Sequence, residues 1–324
     1  MKKITLFIII ATLFSSCVQI LDINLPAEDR LISLNGILNP DSLIKINLSR
    51  SINSQDGDAY VKFIENGDVS LYVDGEFYEK MQHDTFGYYK ASIMPEIGKI
   101  YRVETDNGGK IVSSQASVPP KVNLNDFKIE INYDSTIETW TNYETGEEYD
   151  TVIYTLDETG HAYTSFNDAA DQKNYYFIAM YVKKPDLFWD DYGNVYIRGY
   201  LYEPFYFNVN GDQNYMSYQM DNTIQGYVID DQLFDGQQKI LKLDFDSWQL
   251  DQYTGYIDAV LYLKFYILSE DMYKFIESYN RYQDVGSNPF AEPVNVFSNI
   301  TNGVGLFAGI NVFTDSLVIN MSRK

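Results

Sequence analysis

The sequence predicts a mainly β protein: an N-terminal immunoglobulin-like β-sandwich, then a larger antiparallel β-rich domain with one clear α-helix. Three observations predict it. Apolar residues recur at every second position in many short runs, the mark of half-buried strands. Gly, Asn and Asp punctuate the N-terminal runs at intervals of ~8–12 residues, as in a sandwich of antiparallel strands. Helical spacing is clear in one stretch only, the one that follows Ser269.

The chain opens with Lys2 and Lys3, then an apolar run from Ile4 to Phe14, then Ser15-Ser16-Cys17. A positive start and a short apolar core make a secretory leader, far short of the ~20 residues that span a bilayer. Small residues directly before a cysteine look like a bacterial lipoprotein signal, although Phe14 stands where that signal has Leu. The resemblance implies cleavage after residue 16 and lipid attachment at Cys17. Each buried methylene of a lipid contributes about 0.8 kcal/mol, so several acyl chains anchor stably. Residues 17–30 then read as lipidated Cys and tether.

Residues 31–119 form the expected sandwich. Ile44, Ile46 and Leu48 alternate with polar neighbours, as do Val69, Leu71 and Val73. Asp74-Gly75 and Asn107-Gly108-Gly109 are hairpin turns, because these residues tolerate positive φ. Further strands are expected over Glu76–Met81, from Gly87, around Tyr101 and Val103, and over Lys110–Val118. Pro119-Pro120 is the expected boundary, since paired prolines stop both strands and helices.

Residues 120–324 form the larger domain. Tyr176, Ile178, Met180 and Val182 share one strand face, and Leu241, Leu243 and Phe245 another. The run Ile257–Leu268 is the longest alternation. Ser269 is the expected N-cap of a helix over about 270–282, with Glu270 and Asp271 suiting its dipole. Val294–Ile300, Val304–Phe313 and Leu317–Met321 return to strand character.

Composition narrows function. The chain has 324 residues, 24 basic and 46 acidic, a net charge of −22, one Cys and two His. One Cys excludes an internal disulfide and a multi-cysteine metal centre. The charge argues against a nucleic-acid backbone as partner. Loss of the leader removes Lys2 and Lys3 and no acid, which takes the charge to −24. His83 lies at a strand end or loop and His161 after a turn, with no nucleophile beside either in sequence, and no GxSxG, HExxH or P-loop pattern occurs. The acidic pairs Asp56/Asp58, Asp190/Asp191 and Asp230/Asp231, and the segment Asn208–Asp212, offer oxygen ligands but lack an EF-hand's Gly and Glu positions. They read as polar turns. No cofactor, no metal site and no catalytic residue is expected. The aromatic segments are more informative. Phe188, Trp189, Tyr192, Tyr202 and Tyr206 sit in a ring-dense stretch, followed by Tyr215 and Tyr218. Tyr and Trp combine area with a polar tip, which suits a partner or ligand contact over 186–218.

Longer motifs carry a family resemblance. Asp22-Ile23-Asn24-Leu25-Pro26, Pro95–Val103, Asn174-Tyr175-Tyr176, Leu233–Gln237, the helix after Ser269, Asn288–Pro293, Ser298–Ile300 and Gly303-Val304-Gly305 resemble the Bacteroidota outer-membrane lipoprotein family catalogued as domain of unknown function 4249. That resemblance implies no reaction. It implies an outer-membrane lipoprotein beside TonB-dependent receptors of the nutrient-uptake type. The expectation is therefore a non-enzymatic binding or accessory subunit, lipid-anchored in the outer membrane. A periplasm-facing structural or envelope-assembly lipoprotein, and a carboxylate-based glycan-acting enzyme, stay open as alternatives. Val18–Leu21 precedes Asp22 where surface-exported lipoproteins of that phylum often carry an acidic run, so the exposed side of the membrane stays open too.

Overall fold

The architecture is that of a computed structural model. It describes residues 30–52, 60–106, 108–156, 158–190, 192–211, 215–220, 224–251, 259–286, 292 and 294–319. The leader, Cys17, Asp56, Asp58, Asp191, Asp212 and residues 287–291 of the expected C-terminal signature lie outside these.

The first part holds β1 (Ile32–Leu38), β2 (Lys45–Arg50), β3 (Lys62–Phe63), β4 (Val69–Val73), β5 (Glu76–Lys80), β6 (Gln82–His83), β7 (Tyr88–Lys90), β8 (Ile100–Asp106) and β9 (Ile111–Ser117). Then come β10 (Asn125–Glu130), β11 (Tyr133–Thr141), β12 (Glu148–Leu156), β13 (Thr159–Asn167), β14 (Tyr175–Trp189), β15 (Val195–Phe205), β16 (Asn208–Val209), β17 (Met216–Gln219), β18 (Gln225–Asp230) and β19 (Gln238–Asp246). The short helix α1 (Trp248–Asp251), β20 (Ala259–Leu268), the long helix α2 (Glu270–Gly286) and β21 (Val304–Ile319) complete the chain. The protein is mainly β, with one long helix and several sheets that are antiparallel but for the pairing of β1 with β21.

An eleven-stranded sheet runs through the molecule in the order β17-β18-β14-β20-β21-β1-β2-β7-β6, with β15 beside β14 and β3 beside β2. It crosses the Pro119-Pro120 position. β21 pairs parallel with β1 from Ser33↔Val304 to Leu38↔Gly309, so the C-terminal strand completes the sheet of the N-terminal part. Two four-stranded sheets, β5-β4-β8-β9 and β10-β13-β19-β16, supply the packing layers. The first core joins Leu34, Ile46 and Phe307 to Leu71, Tyr101 and Val103. The second joins Tyr176, Ile178, Leu263 and Phe265 to Phe166, Leu241, Leu243 and Phe245. Of the alternation read from Ile257, the part from Ala259 to Ile267 is the buried face of β20, and Ile257 lies outside the described residues.

On the opposite face of the long sheet lies α2. Its Met272 and Ile276 pack with Tyr175, Phe177, Tyr266 and Ile310. Ser269 is the N-cap: its Oγ accepts the Met272 N–H at 3.4 Å and the Gly309 N–H at 3.2 Å. The helix runs one turn past the expected end. Two expectations change. Val294–Ile300 is irregular rather than a strand, because side chains hold its backbone: Phe297 N–H donates to Ser278 Oγ at 2.8 Å. The runs from Val304 and from Leu317 form one continuous strand as far as Ile319, since β20 pairs along it from Ile310 to Ile319, and Asn320 and Met321 lie outside the described residues. Among the described residues no helix is long and apolar enough to cross a membrane.

Candidate functional site

The candidate site is the distal half of the β14–β15 hairpin. Among the described residues, β20 pairs with β14 from Tyr175 to Lys183, and residues 184–189 pair with β15. Asp190 closes the turn. Its Oδ1 accepts the N–H groups of Tyr192 (2.9 Å) and Asn194 (2.8 Å), and its Oδ2 accepts Asn194 Nδ2–H at 2.9 Å. These donors, led by the Asn194 side chain, hold the Asp190 carboxyl below the usual carboxylate range. Asp190 is thus a turn residue.

Register sorts the rings by face, because directly opposed residues share a side of an antiparallel ribbon. Trp189 opposes Val195, Leu187 opposes Ile197, Pro185 opposes Tyr200 and Lys183 opposes Tyr202. A bulge at Arg198 shifts β15 by one residue between these pairs, which keeps Tyr200 and Tyr202 on the side of Ile197. That side continues the helix-covered face of the long sheet. Tyr175 and Phe177 lie under α2, whereas Tyr181 and Tyr262, stacked at 4.9 Å, lie beyond it. Val260, Ser316 and Val318 extend the same face across β20 and β21. Trp189 is 58 % exposed, Tyr200 56 % and Val318 60 %.

The result is an open apolar and aromatic face. Among the described residues, the strand positions that make it hold Lys183 and Lys264 and no acid, in a chain of net charge −22. Lys183 Nζ lies 4.2 Å from the Tyr200 ring centre and Lys264 Nζ 5.2 Å from that of Tyr181. Burial pushes the Tyr181 phenol up from its ordinary value. The other face of the hairpin is charge-laced: Arg198 pairs with Asp186 at 3.2 Å and Lys184 with Glu203 at 2.6 Å.

The five ring positions singled out in sequence separate accordingly. Trp189 and Tyr202 share the open face, and Tyr192 stands at the tip, 91 % exposed. Phe188 is on the charge-laced face beneath Arg198. Tyr206 lies past the hairpin, its backbone clamped by Gln249 through Tyr206 N–H to Oε1 (2.9 Å) and Nε2–H to Tyr206 O (2.8 Å). It edges an open pocket of about 260 Å³ with Asn208, Tyr227 and Asp246. Tyr215 and Tyr218 lie apart from the open face: they pack on Tyr227 and Phe177. Tyr200, Ile197 and Val195 join the face although local sequence did not single them out. The bulge at Arg198 hid their phase.

His161 is in β13, and its Nδ1 lies 2.7 Å from Asp244 Oδ1. His83 ends β6, exposed, with its ring edge-on to Tyr89. Asn208 belongs to β16 and its Oδ1 accepts the Tyr227 hydroxyl, while Asn210 Nδ2–H donates to Asp244. Asp231 joins Asp168 and Asp235 in a cluster whose carboxylate oxygens lie within 4.8 Å of one another, the described residues best placed to hold a cation. The chain itself supplies donors there. Tyr176 OH and Gly236 N–H bond to Asp168, and Asn174 N–H and Nδ2–H bond to Asp231. Burial, with Asp168 nearby, raises the Asp231 carboxyl above its ordinary value, and burial likewise pushes the Tyr176 phenol up.

A family model described as Domain of unknown function (DUF4249) matches residues 18–316. No curated protein and no solved structure matches the chain.

Proposed function

We propose that this chain, which belongs to the family described as Domain of unknown function (DUF4249), is a lipid-anchored, non-enzymatic binding or accessory subunit of the outer membrane. Its partner is a TonB-dependent receptor, and the open face of the β14–β15 hairpin docks it. The observation that carries this reading is that face. Trp189, Val195, Ile197, Tyr200 and Tyr202 present contiguous apolar surface outside the cores of the fold. Contiguous exposed apolar surface marks interaction sites on soluble bodies, and aromatic anchors dominate interface energetics. The address is supported by the leader pattern ending at Cys17 and by a family match that starts at residue 18.

The test is affinity purification of the tagged protein from detergent-solubilised outer membrane. A stoichiometric receptor is expected. Trp189→Ala and Tyr202→Ala should each weaken its capture by roughly 30-fold, the equivalent of about 2 kcal/mol for a hot-spot ring. Both positions are exposed, so folding should stay within about 0.5 kcal/mol of the parent. Undiminished capture by folded variants, or repeated absence of a receptor, refutes the reading.

A further inference from the structure

A second surface stands apart from the docking face. Among the described residues β11 and β12 pair only with each other, in nine-residue register from Tyr133↔Leu156 to Thr141↔Glu148. Every residue from 136 to 152 is exposed. An isolated two-stranded ribbon is marginal in water, because it has no sheet or helix to pack upon. This one is nonetheless pre-shaped. Asn142 Oδ1 accepts the Glu144 N–H at 2.9 Å, Gly146 N–H donates to Asn142 O at 2.8 Å, and Gly146 holds φ +73°, which suits a residue without Cβ. Across the strands Thr139 Oγ1–H donates to Asp150 Oδ1 at 2.8 Å.

Register again sorts the side chains. Ile137 opposes Val152 on one face, and Trp140 opposes Tyr149 on the other. Each face thus carries an exposed apolar cross-strand pair, and Tyr143 caps the tip. A flat partner would cover one pair and leave the other in water. Charge adds a second constraint. Residues 133–156 contain six acids, Asp134, Glu138, Glu144, Glu147, Glu148 and Asp150, and no Lys, Arg or His. Repulsion among them, and with the anionic headgroups of a membrane, opposes self-association and lipid contact.

We infer that the β11–β12 ribbon is an insertion arm. It enters a cleft of a partner protein that grips both faces, with apolar walls for Ile137/Val152 and Trp140/Tyr149 and a rim of Lys and Arg for the acids. The inference stands on the ribbon and holds whether or not the β14–β15 face binds a receptor.

The experiment places the photo-crosslinker p-benzoylphenylalanine at Ile137, at Trp140 and, as an off-ribbon control, at Tyr78 on β5, in the full-length lipoprotein in the cells that make it. Each version is first shown to melt like the parent. Ile137 and Trp140 should both crosslink to the same protein, through peptides that carry Lys or Arg, and Tyr78 should not. Glu138→Lys with Asp150→Lys should cut the yield by roughly tenfold or more, as should a rise from about 0.1 M to about 0.5 M salt. Crosslinks from one face only, to lipid, to a second copy of this chain or to peptides without basic residues would overturn the inference. So would no crosslink from either ribbon position, or a yield indifferent to charge reversal.

Discussion

Phe307 joins the two ends of the chain, and its removal tests that junction. The ring is fully buried in the core of the N-terminal sheets, although it comes from β21. It lies opposite Gly36, where an added Cβ would stand 3.0 Å from the Phe307 ring and 2.8 Å from Ile46. Gly36 therefore makes the room that the ring fills. Phe307→Ala leaves the main-chain bonds to Asn299 in place, N–H to Oδ1 at 3.0 Å and Nδ2–H to O at 2.7 Å. What is lost is ring burial, plus the cavity left behind, at about 3–5 kcal/mol. The melting temperature should fall by roughly 6–20 °C, read by circular dichroism against Tyr143→Ala as an exposed control. The fragment 31–119 made alone should not unfold cooperatively, because it lacks β21. A shift below roughly 2 °C for Phe307→Ala, together with cooperative melting of the fragment, refutes the reasoning.

Three further outcomes follow from single sites. Gly309→Ala should cost stability, because its Cβ would meet Ser117 O at 1.9 Å; overpacking of this kind costs about 1–3 kcal/mol, read in urea. Gln249→Ala removes the clamp on the Tyr206 backbone and should cost about 1–3 kcal/mol; an unchanged urea midpoint contradicts the clamp. Asp231→Asn tests the carboxylate cluster. With its folded pKa raised above the unfolded value of about 3.9, the native state holds this proton more tightly. The resulting stabilisation is full below the unfolded value and is lost as pH rises through the folded one. Asp231→Asn should therefore gain most over the parent near pH 7 and progressively less toward pH 4. A gain that grows on acidification opposes the assignment.

Local patterns made much of this legible and long-range pairing the rest. Period-two alternation marked β2, β4, β14, β19 and β20, because one face of each strand is buried. The Ser269 cap was readable because its chemistry is local. Nothing local says that β21 pairs with β1 across some 270 positions, so Pro119-Pro120 read as a boundary that the long sheet in fact crosses. Asp168 and Asp231 meet only through the β13–β14 and β18–β19 connections. The β11–β12 ribbon escaped notice for a different reason. Both its faces meet water, so no apolar face alternates with a polar one and the periodic signal is missing. On the open face of the β14–β15 hairpin, the Arg198 bulge breaks the period between Ile197 and Tyr200.

Under the proposed function, a partner in the envelope covers the open face that carries Trp189 and Tyr202. Hydroxyl-radical footprinting reads this directly, comparing the purified protein with the same protein in isolated outer membranes. Oxidation of Trp189, Tyr200 and Tyr202 should fall several-fold in the membrane while exposed Tyr78, on β5, is unchanged. Equal oxidation of these three residues in both settings would contradict it.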